Sequence, residues 1–433
     1  MMSFTVIDLN DTNIRVGKDE QILLNSPGYA VIKDDKIAFG SQAAKLMRIY
    51  PRNTHDDYWY RLSQDTIKST SNQIRHNADL AYMQLAEINE QAGQTIKWLL
   101  AVPASFNQEQ LGLLLGLLNA ANYENVQLVD SALLASTASL NRGEHLHLHL
   151  DMQLHQSVLT SLETDDKHKV VAVNVLPDAG LLSIYEKCAK LISTEFINQS
   201  RFDPQHNAES EQLLFESIPG CLATLTTSPI SNVGLEYQGQ SYSANITREG
   251  ILEILSPIYN RIYKNIGDSK QLILSHRFGK FPGFLDGLDN ASLLDEFALF
   301  TSAKNYSALL QNTESSTNYL SELPVFENSE NTSSLNTQSQ QTTDITHILI
   351  GNTAYRLNKQ DCFFSNDGKI ETTLNKNTAF SIQFKDGRYS IQTENNTQVS
   401  LNDAIISEAQ SLTLGDRIKT VASKTDSILI KVP

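Results

Sequence analysis

The order of apolar and polar positions divides the chain into stretches of different periodicity. Residues 98–102 are an unbroken apolar run of strand length, and after Pro103 the residues Leu111, Leu114, Leu115 and Leu118 recur at helical spacing. Asn107 stands where an N-cap belongs, with Gln110 three residues later as in a capping box. Asn122 closes this helix before a second apolar run, 126–129. Strand, helix, strand is the unit that builds a parallel sheet. Upstream, short runs at 4–8, 14–16, 21–24, 30–33 and 36–39, punctuated by Lys18-Asp19, Pro27-Gly28 and Asp34-Asp35, predict a meander. Helices are predicted over 41–49 and 77–92.

The second stretch repeats the first. Residues 146–151 form an apolar strand ending in Asp151, followed by a turn and a second strand at 158–163, just as residues 6–16 run from strand through Asp8 and a turn to another strand. This pattern predicts an internal duplication, with halves of about 1–143 and 144–310 inside one domain, 1–310. The rest of the second half reads as a strand at 169–176 and a helix at 180–197 that buries Leu181, Ile184, Tyr185, Cys188, Leu191 and Ile192. A further helix is capped by Asn207 or Ser210, and a hairpin spans 233–244 around Gln238-Gly239. Thr247 caps a helix over 248–266, with Pro257 as a kink or boundary. A strand at 272–274 runs into Ser275-His276-Arg277-Phe278-Gly279, and a helix over 292–310 closes the domain.

Residues 311–346 are rich in Ser, Thr, Asn, Gln and Glu and predict a disordered polar tether. The apolar island from Tyr319 to Phe326 within it reads equally as a docking motif or as incidental clustering. From 347 to 433, short alternating runs separated by Asn366-Asp367-Gly368, Lys385-Asp386-Gly387 and Leu414-Gly415-Asp416 predict an all-β sandwich.

Composition narrows the function classes. The chain has 433 residues and a formal net charge of -15, without a Lys/Arg cluster, which argues against nucleic acid and anionic membranes as partners. Three cysteines, Cys188, Cys221 and Cys362, without a CxxC pattern fit a reducing compartment. The N-terminus has no basic and apolar leader, and no apolar run is long enough to span a bilayer, so the expectation is a soluble cytoplasmic protein with no membrane insertion. His145, His147 and His149 alternate on one strand face with His155 close behind, a pattern open to metal binding or to a polar strand face packed under a helix.

The block V-P-A-S-F-N-Q-E-Q at 102–110, followed by a Leu/Ala-rich helix, a strand and an Ala-rich helix, resembles the nucleotide-binding domain of the DnaK-type seventy-kilodalton heat-shock chaperones, members of the actin-like ATPase superfamily. The fold this implies is α/β, a duplicated actin-like (ribonuclease H-like) domain with a cleft between its halves. Asp8, Leu9, Thr12 and Asn13 match the family's phosphate-gripping Asp-Leu-Gly-Thr-Thr-Asn turn, while Asn10 and Asp11 replace its glycine and first threonine. Asp11 adds a negative charge beside a polyphosphate, a cost that a bound cation would offset. In the second phosphate turn Gln153, Leu154 and His155 stand where the family has glycines, so bulky side chains are expected to fill the phosphate space. In the adenosine turn Ser275 and His276 take the glycine positions. Asp130-Ser131-Ala132-Leu133 replaces the family's Asn-Glu-Pro-Thr, and Arg61 is nearest to its water-orienting lysine.

Three turns have thus lost their glycines at one cleft. The expectation is a bacterial-type pseudo-ATPase scaffold that is not a chaperone. The alternative is a working switch around ATP and Mg²⁺. There Asp8 and Asp151 would hold the metal, and Asn10, Thr12, Asn13, Gln153, His155, Ser275 and His276 would line the nucleotide site. The C-terminal stretch is similar to forkhead-associated domains, with Asn395-Asn396-Thr397 for their Asn-Gly-Thr and Leu414 to Ile418 for a turn near their end. The phosphothreonine pocket of that family needs an arginine and a Ser-x-x-His span. Here the span falls on 376–379, and only Lys376 and Arg388 offer charge, so the expected partner is an unphosphorylated protein met through Lys376, Arg388, Asn395 and Asn396.

Overall fold

The computed structural model describes residues 4–18, 21–33, 36–67, 71, 73–93, 95, 97–140, 146–267, 271–288, 290–307, 319–325, 347–350, 353–357, 362–365, 370–371, 375–385, 388–394, 397–402, 404–406, 409–412, 416–420 and 427–430. The chain forms two units, Met1–Phe326 and Glu327–Pro433.

The first unit is mixed α/β. Its elements begin with β1 (Thr5–Asp8), β2 (Ile14–Lys18), β3 (Gln21–Ser26), β4 (Ala30–Lys33), β5 (Lys36–Phe39), α1 (Gly40–Ala44), β6 (Thr54–His55) and α2 (Asn77–Ala92). They continue with β7 (Trp98–Val102), α3 (Gln108–Ala120), β8 (Val126–Asp130) and α4 (Ser131–Ser136). One sheet has the order β3-β2-β1-β7-β8, with β1 antiparallel to β2, β2 to β3, and β1, β7 and β8 parallel.

The repeat comprises β9 (Leu146–Met152), β10 (Gln156–Thr164), β11 (Lys167–Pro177), α5 (Leu181–Ser200), α6 (Ala208–Thr227), β12 (Ile230–Tyr237), β13 (Gln240–Thr247), α7 (Arg248–Ile266), β14 (Leu272–Leu274), β15 (Ala291–Leu293) and α8 (Ala298–Asn305). Its sheet runs β11-β10-β9-β14-β15 with the same strand directions. Each outer hairpin carries a register shift, between Val16 and Gly17 in one half and between Ser161 and Leu162 in the other.

Covered faces explain the apolar runs. Ile7, Leu100 and Leu128 point into one core while Val6, Leu99, Ala101 and Val129 point into a second core on the other face of the sheet, so these strands read as continuous rather than alternating. That second core also takes Leu162, Ile273, Leu299 and Phe300, and so joins the halves. The capping box at Asn107 and Gln110 forms as expected, and Asn207 caps α6. Pro257 lies inside α7 rather than bounding it.

Three expectations are corrected. The helix over 41–49 stops at Ala44, because backbone groups that would extend it have tertiary partners: Arg48 N donates to Gln212 Oε1 and Met47 O accepts from Thr54 Oγ1. The helix over 292–310 is split, since residues 291–293 are drawn into the sheet beside β14 and helix begins only at Ala298, while 308–310 lie outside the described residues. The tether over 311–346 is also interrupted. Residues 319–324 form β16 (Tyr319–Leu320) and β17 (Glu322–Pro324), which extend the two sheets at β8 and β11.

Among the described residues of the second unit, a six-stranded and a five-stranded sheet, antiparallel at every pairing, share one core that includes Ile348, Phe364, Phe380, Ile382, Tyr389, Ile391 and Ile418. Among the described residues, no helix is long and apolar enough to cross a membrane.

Candidate functional site

The strand ends β1 and β9 bring Asp8 and Asp151 to the same cleft, as the repeated sequence pattern predicts. The space between them is taken by a side chain. Arg277, in the turn after β14, donates from Nη2 to Asp8 Oδ2 at 2.8 Å, from Nη1 to Asp151 Oδ1 at 3.2 Å and from Nε to Thr12 Oγ1 at 3.1 Å. Arg15, opposite Asp8 on β2, holds Asp8 Oδ2 through Nε at 3.2 Å and Nη2 at 2.9 Å. Asn10 Nδ2 closes the network from below, donating to Asp151 Oδ2 at 2.9 Å and to Met152 O at 3.0 Å. The cavity left around Asp8, His149, Asp151 and Arg277 is 20 Å³. That is room for about one water molecule and not for a phosphate.

Electrostatics follow from this pairing. Burial raises the Asp8 carboxyl, but the Arg277 and Arg15 guanidinium groups outweigh it and hold Asp8 at about 2. Asp151 is likewise pulled below the usual carboxylate range, burial opposing and Arg277 prevailing. Burial works against the charge of Arg277, yet Asp151 and Asp8 push its pKa further up. Burial takes His149 down to about 4, and burial with Arg277 beside it lowers His276, so both rings are neutral at pH 7.

Five backbone donors in the two turns are committed internally. In the first turn Asn10 N donates to Asp8 O, Thr12 N to Asn10 Oδ1 and Asn13 N to Asn10 O. In the second turn Gln153 N donates to Gln156 O, and Leu154 N donates to Asp11 Oδ1 at 2.8 Å. The N-terminal amides of α5 are spent in the same way, Leu181 N on Gln153 O and Leu182 N on Leu154 O. A phosphate arriving here would have to displace these bonds. Asp11 takes an amide of the other half, and burial raises its pKa to about 6. Glycine is used beside the turns instead of within them. A Cβ on Gly28 would meet Asp11 at 2.9 Å, and one on Gly180 would meet the backbone of residues 154–156 at 2.4 Å.

No protein-family model matches this chain, and no curated protein does.

The other expected residues disperse. Asn13 donates to Asn25 Oδ1 on β3, although it also lines a 170 Å³ cavity with Thr12, Tyr185, His276 and Lys280. Gln153 turns to Ser105, with Nε2 donating at 3.3 Å, and His155 stacks on Tyr60 and lies 3.3 Å from Asp56 Oδ1. Leu154 is buried with Tyr29, Val31 and Met47. Arg277, and none of these three side chains, takes the space between Asp8 and Asp151. Ser275 is buried behind Arg277. Arg61 is exposed and pairs with Asp57. His147 and His149 are buried on β9, and His149 Nδ1 lies 2.8 Å from Ser136 Oγ. His145 lies outside the described residues, among which no three His, Cys, Asp or Glu side chains gather as a metal set. In the second unit Lys376 is exposed in a turn, and Asn395, Asn396 and the Arg388 side chain lie outside the described residues.

Arg15 and Arg277 are the site residues that sequence reasoning missed. A lone arginine inside the apolar run of β2, opposite Asp8, was the available signal. Asp130, where the chaperones have asparagine, caps α4 through Leu133 N at 2.8 Å and accepts from Tyr319 Oη at 2.7 Å; burial raises it to about 6. Its charge at pH 7 is therefore a cost. Asp130→Asn is expected to stabilise the chain by about 1–3 kcal/mol at pH 7, with the gain gone by about pH 3, below the unfolded pKa, where the native carboxyl is protonated in both states. Urea unfolding of the two proteins at the two pH values checks this.

Proposed function

We propose that the first unit is an actin-like, DnaK-related domain that serves as a pseudo-ATPase scaffold, and that the second unit is a forkhead-associated-like module that meets an unphosphorylated protein partner. The matching strand order of the two halves supports the fold reading, and the paired sheets with one core support the second. The function rests on one observation above the rest: the Arg277 guanidinium lies between Asp8 and Asp151, where the switch alternative requires a metal and phosphates. A side chain tethered to its own sheet competes with any ligand at no cost in translational freedom.

The reading is tested by thermal melting of the full chain with ATP and Mg²⁺. A ligand that binds the folded state raises the melting temperature by mass action, by roughly 4 kcal/mol of stabilisation at a thousandfold excess over Kd. No shift at millimolar ATP and Mg²⁺ is expected. A clear upward shift that disappears in Asp8→Ala would reject the scaffold in favour of the switch.

A further inference from the structure

The short strands β16 and β17 belong to both halves at once. Tyr319 and Leu320 pair parallel with Leu128 and Val129 at the edge of the first sheet. Glu322 to Pro324 pair antiparallel with Lys167 to Lys169 at the edge of the second, and Val170 N donates to Ser321 O at 3.0 Å. We propose that residues 319–324 are a clip that fixes the separation of the two halves, so that the cleft turns part only when the clip lifts.

Geometry supports this first. An extended chain reaches at most about 3.3–3.6 Å per residue, so a segment already in strand conformation has no slack to follow a rotation of one sheet against the other. Movement must break one of its two pairings. The clip is also anchored by side chains on each side. Leu323 is fully buried in the core that joins the halves, with Val129 and Leu133 of the first and Leu162 and Ile273 of the second. Tyr319 Oη donates to Asp130 at the end of β8, and Tyr306 Oη donates to Pro324 O. Lifting the segment would uncover Leu323, remove a partner from buried Asp130 and leave two sheet edges unpaired.

The inference goes beyond the pseudo-ATPase reading and does not depend on it, since the clip and the Arg277 network share no residue. ATP-induced stabilisation would sink the latter and leave the clip untouched. The test is hydrogen exchange followed by mass spectrometry on the full chain, native against Leu323→Ser. Exchange should quicken by about tenfold or more at 126–130 and 167–170, and also in the cleft turns at 8–13 and 150–155, which lie outside the two strand pairings of the clip. Faster exchange confined to the two paired edges, with the turns unchanged, would overturn the proposal. Should Leu323→Ser fail to fold, Tyr319→Phe, which removes one hydroxyl, gives the same two readouts with a smaller change.

Discussion

Arg277→Ala should lower the stability of the first unit by about 3–5 kcal/mol, the cost of removing one partner from a buried ion network. Asp8 is 2 % exposed and keeps Arg15, but Asp151 loses its guanidinium and keeps neutral donors such as Asn10 Nδ2 and Met152 N. Two carboxylates then face each other without the charge that lay between them. Mn²⁺ or Mg²⁺ at millimolar concentration should recover part of the loss in the variant, because oxygen ligands bind such cations, and should do nothing for the native chain. Arg277→Lys should fall between the two. An ammonium is a compact point charge and does not match the planar fork that reaches Thr12, Asp8 and Asp151 together. Urea unfolding with and without Mn²⁺ measures all of this. A loss below about 1 kcal/mol, the size seen for exposed pairs, would mean that the network is not what holds the cleft shut.

Acid should act in two stages. Asp11 and Asp130, raised to about 6, favour the folded state fully below about pH 4, and that contribution is lost as pH rises through 6. His149, lowered to about 4, and His276, also lowered, favour it above about pH 6.5 and lose that contribution as pH falls. Two groups therefore gain what two others lose between pH 6.5 and 4, and stability should change little there. Below pH 4 the compensation ends. Asp8, held at about 2, and Asp151, held low by the same guanidinium, must then take up protons that the unfolded chain already carries. Stability should fall by about 2 kcal/mol or more between pH 4 and 2, Asp8 alone accounting for that much. Denaturant midpoints across the range check the shape, and a continuous decline from pH 6.5 would contradict it.

Much of the scaffold was legible because burial on both sheet faces leaves long apolar runs, and because the strand ending in Asp8 is repeated by the one ending in Asp151. The first-half meander, the unit from Trp98 to Asp130 and the helices α5 and α7 followed from spacing and caps alone. What spacing does not carry is tertiary competition for backbone groups. Gln212 and Thr54 end a helix that residues 41–49 would otherwise continue, and the pull of β14 turns 291–293 into strand. The cleft was half legible for a similar reason. Missing glycines marked the turns, but whether a lost glycine leaves a gap, a bulky plug or a new hydrogen bond depends on side chains distant in sequence. Arg277 lies 126 residues from Asp151 and 269 from Asp8. The polar stretch after 310 showed its apolar island at 319–326 but not the strands in it, because strands of two and three residues are too short for any periodicity to register.

A closure made from two arginines and two aspartates of one polypeptide draws on nothing diffusible. On the scaffold reading proposed above, the spacing of this surface would not follow the level of nucleotide around it, and a partner built against it would read the polypeptide alone.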